Sequence, residues 1–281
     1  MKLSIVTINR NNSIGLGKTL DSVSAQSFRD FEYIVIDGAS TDNSVEVIRK
    51  KEHEYTDLKW ISEPDKGIYN AMNKGLRMAT GDYIQILNSG DALVGKDVVE
   101  RMLSALEEKN NPEILYGNML KSFPDGKLVR DRGFAGKMPT MLSFIRGTLN
   151  HDPVYIRRSL FEQFGYYRED LPITADWRWY VEAIPFGGVR PAYVDIDVTV
   201  FDMTGVSETQ IEKREKERDE ELRRILPPGV YQDYKENYFL LEQLHRIKRY
   251  PLLYKLFYME ERVLFKMEKR KKKKQSERQA Q

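Results

Sequence analysis

The sequence predicts an α/β fold: a mixed, mostly parallel β-sheet flanked by helices, with a helical C-terminal extension. Three observations carry this. Over the first 91 residues, short β-branched apolar runs alternate with amphipathic helical stretches, the pattern of a parallel sheet. Each of the later runs ends in a polar turn holding an acidic residue, so the reactive side chains collect at the carboxyl edge of the strands. Ligands bind at that edge in open α/β sheets. Beyond residue 205 the chain becomes charge-dense and helical, which sets the expected domains at 1–205 and 206–281.

The composition narrows the chemistry. Hydrophobic content of 41% and charged content of 31% in 281 residues describe a globular protein with room for a large core. There is no cysteine, so disulfides and thiolate metal sites are excluded. With only His53, His151 and His245, a histidine-rich metal centre is disfavoured. A metal would rest on oxygen ligands, which favours Mg²⁺ or Mn²⁺. No apolar run approaches the roughly 20 residues of a membrane span, and the N-terminus enters a strand without a signal-peptide pattern. A cytoplasmic protein is expected.

The elements follow in order. Lys2–Ile8 is the first strand, and a loop leads to a helix with Leu20 and Val23 on its buried side. Gly17-Lys18-Thr19 looks like the end of a P-loop, but Asn12 stands where its first glycine is required; an ATPase reading is rejected. Phe31–Ile36 is the second strand, ending at Asp37 in position to accept a hydrogen bond from a base or ribose. Ser40 or Thr41 is expected to cap the next helix. Leu58–Ile61 is the third strand, and Asp65 and Lys66 emerge beyond it before a helix through Ala71, Met72 and Leu76. A lysine at a helix start opposes the helix dipole, so a bound anion is a reason for it. Tyr83–Leu87 is the fourth strand, ending in Asn88-Ser89-Gly90-Asp91. A carboxylate beside a glycine that allows close approach suits a cation and a phosphate; an ordinary turn has the same composition.

Ser4-Ile5-Val6-Thr7, Val35-Ile36-Asp37-Gly38-Ala39-Ser40-Thr41-Asp42, Ser62 to Gly75 and Asn88-Ser89-Gly90-Asp91 together resemble family 2 glycosyltransferases of the GT-A fold. The Ser62–Gly75 run resembles a bacterial branch that works on capsular, exopolysaccharide or lipopolysaccharide units. The resemblance covers roughly residues 2 to 205. It implies a nucleotide-sugar donor, with Thr7 and Asn9 by the nucleotide, Asp37 gripping the base, and Asp65 and Lys66 near the uridine or its phosphates. Asn88 to Asp91 stands in place of the family's Asp-x-Asp motif. The first acid is Asn88 here, so direct metal ligation is expected of Asp91 alone, with Asn88 as a neutral oxygen.

In the second half, Val98–Leu106 is read as a helix, Glu113–Met119 as a strand, Lys121–Arg132 as a hairpin and Val154–Ile156 as a strand. His151 precedes that last strand. A lone histidine is more often a packing residue; the resemblance places it in the active site. Asp176 opens a helix running to about Ile184, bounded by Pro185. It suits a first-turn carboxylate; the resemblance implies the general base of an inverting transfer, which a sugar hydroxyl needs as it attacks the anomeric carbon. Trp177, Trp179 and Tyr180 suit either core or sugar stacking. Ala192–Phe201 is a further strand, and Asp202 to Ser207 resembles the family's loop over the donor phosphates.

Residues 208–225 read as a solvated helix. The aromatic stretch from Pro251 and the basic run Lys269–Lys274 suit peripheral contact with an anionic membrane face. The expected acceptor is a saccharide, lipid-linked or free. No nucleic-acid partner is expected, because the positive charge is confined to the tail. The competing reading is a nucleotide-sugar-binding protein without catalysis, its metal site degenerate at Asn88.

Overall fold

All seven residues of β1 (Leu3–Asn9) and of β2 (Phe31–Asp37) are buried, as a strand covered on both faces requires. The structure is a computed structural model. It describes residues 2–54, 58–203 and 209–256, with further positions up to 269. The chain divides into two units, 1–225 and 226–281.

The first unit begins with four parallel strands. β3 (Leu58–Ser62) lies outside β2, and β4 (Tyr83–Ile86) pairs with the other side of β1. The connecting helices are α1 (Ser13–Ser24), α2 (Ser44–Glu54) and α3 (Ile68–Met78). Register puts Asn9 beside Asp37 and Asp37 beside Ser62, so the strand ends meet at one edge as the alternation predicts. α3 lies directly on this sheet. A Cβ on Gly75 would stand 2.2 Å from Val6 Cγ1, so only glycine permits the approach.

The remaining strands are β5 (Ala92–Leu93), β6 (Ile114–Ser122), β7 (Leu128–Asp131), β8 (Val154–Arg157) and β9 (Ala192–Asp202). The sheet order is β3-β2-β1-β4-β8-β6-β9-β5, with β7 paired to β6. β1, β2, β3, β4, β6 and β9 share one direction; β5, β7 and β8 oppose it. The fold is therefore the expected mixed, mostly parallel sheet. Because β8 enters antiparallel beside β4, the residues just before it fall at β4's carboxyl end. That is how His151 and Asp152 reach the Asn88–Asp91 turn.

The smaller helices of this half are α4 (Val98–Glu108), α5 (Met141–Arg146), α6 (Ser159–Phe164) and α7 (Ala175–Val181). α7 ends three residues before the expected Ile184. It widens into a π-turn, Glu182–Phe186, that contains Pro185. Proline has no N–H for the next α-helical bond, and Gly187 N–H bonds back to the Glu182 carbonyl at 2.8 Å instead. Trp177, Trp179 and Tyr180 are all buried. The two indole N–H groups donate to the Phe144 and Gly165 carbonyls, so these rings are core.

Two expectations are corrected. Ser40 does not cap α2: its hydroxyl donates to Asp37 at 2.6 Å, and Asp42 takes the Ser44 N–H at 3.0 Å. Nor is the helix at 208–225 solvated on every side. α8 (Ile211–Ile225) buries Glu221 and Leu222, and its Glu217 carboxylate accepts the Ile173 and Thr174 N–H groups ahead of α7. The second unit contains α9 (Pro228–Lys248).

Candidate active site

The Asn88–Asp91 turn is held from α1. Thr19 Oγ1 donates to the Asp91 carbonyl at 2.6 Å and accepts the Gly90 N–H at 3.0 Å. Lys18 Nζ donates to the Gly90 carbonyl at 3.1 Å, and Asn12 Nδ2 to the Ser89 carbonyl at 3.1 Å. The Gly17-Lys18-Thr19 run thus has a role in shaping this turn. Gly90 has φ of +107°, a conformation glycine adopts without strain.

This turn, the β8 approach, α3 and α7 enclose a cleft of about 790 Å³. Six of the expected site residues line it: Asn9, Asp65, Asn88, Asp91, His151 and Asp176. The other three do not. Thr7 is buried, its hydroxyl 3.1 Å from Tyr33 Oη. Asp37 is buried with both oxygens filled, by Asn9 Nδ2, the Ser40 hydroxyl and N–H, and the Ser62 hydroxyl. Burial alone would raise its pKa, but those donors, Ser40 and Ser62 first, hold it below the usual range. Lys66 is exposed outside the lining. Asp65 packs against Gly38, where a Cβ would stand 2.0 Å from its Oδ2, and Arg10 lies 3.6 Å from its Oδ1.

His151 is the hub of the cleft. Its Nδ1 is 3.3 Å from Asp176 Oδ2, and its Nε2 is 2.8 Å from Asn88 Nδ2 and 3.3 Å from Asp152 Oδ1. Burial opposes its charged form. Asp152, then Asp176 and Asp91, outweigh that and push its pKa up to about 9. Asp176 is half-buried, and its partial desolvation alone would raise its pKa. The His151 hydrogen bond and charge, then the Tyr69 hydroxyl at 2.7 Å from Oδ1, hold it below the usual range instead. Asp91 behaves in the opposite way. Burial first, then the neighbouring Asp152 charge, raises it well above a normal aspartate, although the Asp202 N–H donates to its Oδ1 at 2.9 Å.

Reading the sequence did not single out Asp152, Tyr69, Glu217 or the cleft-lining Arg10 and Arg214. Asp152 had a signal, a second acid next to a histidine before a strand. The others depend on contacts distant in sequence. Among the described residues, no group of three His, Cys, Asp or Glu side chains is arranged to hold a metal. Any cation would share Asp91 and its immediate neighbours with ligand oxygens, as Mg²⁺ commonly does. Of the Asp202–Ser207 loop, residues 204–207 lie outside the described residues, as do 270–274 of the basic run.

Residues 4–164 match the family model "Glycosyl transferase family 2". The chain belongs to this family. A glycosyltransferase of Mycobacterium tuberculosis, named as uncharacterised, is 35% identical over 208 residues, 73% of this chain and 76% of its own. A PGL/p-HBAD biosynthesis glycosyltransferase of Mycobacterium bovis is 25% identical over 75% of this chain and 80% of its own. Among solved structures, S. aureus TarS 1–349 in complex with UDP-GlcNAc is similar with a TM-score of 0.64 at 19% identity, covering 83% of this chain and 70% of that one. The chain spans 43% of the longer TarS chain. The mannosyltransferase PcManGT from Pyrobaculum calidifontis, in complex with GDP-Man and Mn²⁺, follows with a TM-score of 0.60 at 17% identity, covering 85% of this chain and 69% of that one. The fold of this family 2 glycosyltransferase is thus that of GT-A enzymes.

Proposed function

We propose that this family 2 glycosyltransferase inverts the anomeric centre as it moves a sugar from a nucleotide donor, foremost a UDP-sugar, to an acceptor. The acceptor is a saccharide or lipid-linked saccharide of bacterial surface polysaccharide synthesis, such as capsule or lipopolysaccharide. One observation carries the reading: Asp176 stands half-buried on the cleft wall and is held ionised by His151 and Tyr69. A carboxylate in that state can take the proton of an attacking hydroxyl.

The donor would lie from Asn9 and Asp65, near the nucleoside, toward Asn88 and Asp91. Arg214 and Arg10 line the same cleft and can meet phosphate oxygens. Asp91 is the expected ligand of Mg²⁺ or Mn²⁺; its crowding against Asp152, two buried carboxylates short of positive charge, fits a divalent cation. A cation held there stabilises the charge that develops on the departing nucleoside diphosphate. His151 keeps Asp176 oriented and ionised, and Tyr69 fixes its second oxygen.

The C-terminal residues support peripheral membrane contact. Leu252, Leu256, Met259 and Met267 are each more than half exposed. Lys255, Arg262, Lys266 and Lys269 are interspersed with them and exposed too, a combination suited to an anionic lipid surface. Among the described residues, no helix is long and apolar enough to cross a membrane. Sedimentation with phosphatidylglycerol vesicles, lost on phosphatidylcholine and in Lys255→Glu/Lys266→Glu, is the expected result; equal sedimentation with neither lipid would remove this part.

A second reading is a nucleotide-sugar-binding protein without catalysis. Asn88 favours it, since its amide is turned to His151 rather than supplying a charge to a cation. Thermal shift against nucleoside diphosphates and their sugars, with and without Mn²⁺, tests the donor site. The expected result is a Mn²⁺-dependent rise with one nucleotide, accompanied by release of that nucleotide from its sugar conjugate. Binding without release would favour the second reading, and no shift with any nucleotide would contradict both.

A further inference from the structure

Asp152 is the one buried carboxylate at the cleft that the chemistry above leaves without work. It is 1% exposed, and neither of its oxygens accepts a hydrogen bond. Besides Asp91, its carboxylate faces His151, whose Nε2 stands 3.3 Å from Oδ1. Asp37, at the same sheet edge, shows what a structural carboxylate looks like here: equally buried, with both oxygens filled by four donors. Asp152 has no such donors, although it lines the open cleft. Buried polar oxygens are seldom left in that state unless something else completes them.

Two further facts point to what completes it. Asp152 and Asp91 are neighbouring carboxylates on the wall of the same cleft. Asp91, Asp152 and Asp176 face one imidazolium, His151, so the cluster with all three ionised is short of two positive charges. Oxygen atoms from two carboxylates, opening into a cleft, suit a hard divalent cation that fills its remaining positions from phosphates and water.

We propose that Asp152 is a second carboxylate ligand of the donor's divalent cation, acting with Asp91. Asp152 then supplies from the β8 approach the negative charge that the turn lacks at Asn88. The two ligands come from different parts of the chain, joined only because β8 inserts beside β4. This rests on the reading that the donor site takes a cation.

The test is Mn²⁺ binding to the full-length chain in the presence of UDP, followed by the electron paramagnetic resonance signal of free Mn²⁺. Wild type, Asp91→Asn and Asp152→Asn are compared, with thermal melts in chelator as the control for folding. Asp152→Asn is expected to weaken Mn²⁺ at least about tenfold, since losing even an outer-shell partner of a metal ligand costs that much. In chelator it should melt at or above the wild-type temperature, because a buried like-charge contact is gone. A wild-type Mn²⁺ affinity in Asp152→Asn, with binding lost in Asp91→Asn, overturns the assignment of Asp152 alone. A wild type that binds UDP but no Mn²⁺ overturns the cation reading and this assignment together. If Asp152→Asn does not fold, Asp152→Glu keeps the charge on a longer arm and must still change the affinity; an unchanged value overturns the proposal.

Discussion

Removing the Tyr69 hydroxyl should cost more than an ordinary hydrogen bond, because its partner is ionised. The hydroxyl lies 2.7 Å from Asp176 Oδ1 and 2.7 Å from the Ile173 carbonyl, and the ring is buried. Tyr69→Phe keeps the ring and its edge contact with Tyr167. It leaves a half-buried carboxylate one donor short. Hydrogen bonds to charged groups contribute about 1.5–3 kcal/mol, which is also roughly 1–2 pKa units of upward shift for Asp176. In a unit spanning residues 1–225, each kcal/mol moves Tm by about 2–4 °C, so a fall of about 3–12 °C is expected at pH 7. The folded Asp176 carboxyl lies below its ordinary value, so its contribution is present above the unfolded pKa and fades as pH falls. The difference between wild type and Tyr69→Phe should therefore shrink in acid. In an Asp176→Asn background the bond is neutral, and the same change should cost only about 0.5–1.5 kcal/mol. Urea denaturation of the four proteins gives the coupling energy. An equal loss in both backgrounds, or a loss below about 0.5 kcal/mol in the wild type, would refute the claim that Tyr69 acts on the Asp176 charge.

Other outcomes follow from the same geometry. Thr19→Val leaves the Gly90 N–H without the hydroxyl that accepts it; a loss of about 1–3 kcal/mol and weaker nucleotide binding are expected, measured by denaturation and calorimetry. Glu217→Ala removes the acceptor of the Ile173 and Thr174 N–H groups ahead of Asp176; about 1–3 kcal/mol of stability should go with it, together with turnover, and Glu217→Gln should restore most of both. His151 is raised from 6.5 to about 9 in the folded chain. Its contribution is fully present below 6.5 and is lost as pH rises through about 9, on the order of a few kcal/mol. Melting in metal-free buffer should thus fall over that window, and a flat profile would contradict the ion-pair network.

Much of this architecture was legible in the chain because its signals are local. Alternating β-branched runs and amphipathic helices are enough to read the four parallel strands and the edge where Asp65 and Asp91 emerge. The non-local part was not legible. Asp37 and Asp91 look alike in sequence, each an acid at a strand end. What separates them is that Ser62 from the neighbouring strand, together with Ser40, fills Asp37 with donors, while Asp91 meets another carboxylate. The charge density of α8 hid its role, since Glu217 and Glu221 look like surface residues until their partners Thr174, Arg168 and Arg178 are brought to them. Short elements such as β5, α5 and α6 carry too few residues to show a period. The position of β8 between β4 and β6, which creates the His151 hub, is a pairing order that no single segment encodes.

The most direct test of the central claim is donor binding and nucleotide release measured side by side in Asp176→Asn. The amide keeps the side chain's shape and its place by Tyr69 and His151 but cannot take a proton. Calorimetry with the nucleotide found by thermal shift should give an affinity within a few-fold of wild type, while release of that nucleotide from its sugar conjugate in the presence of acceptor falls by at least about a hundredfold. Near-normal turnover in a folded Asp176→Asn would contradict the account, because the ionised carboxylate on the cleft wall would then not be the base.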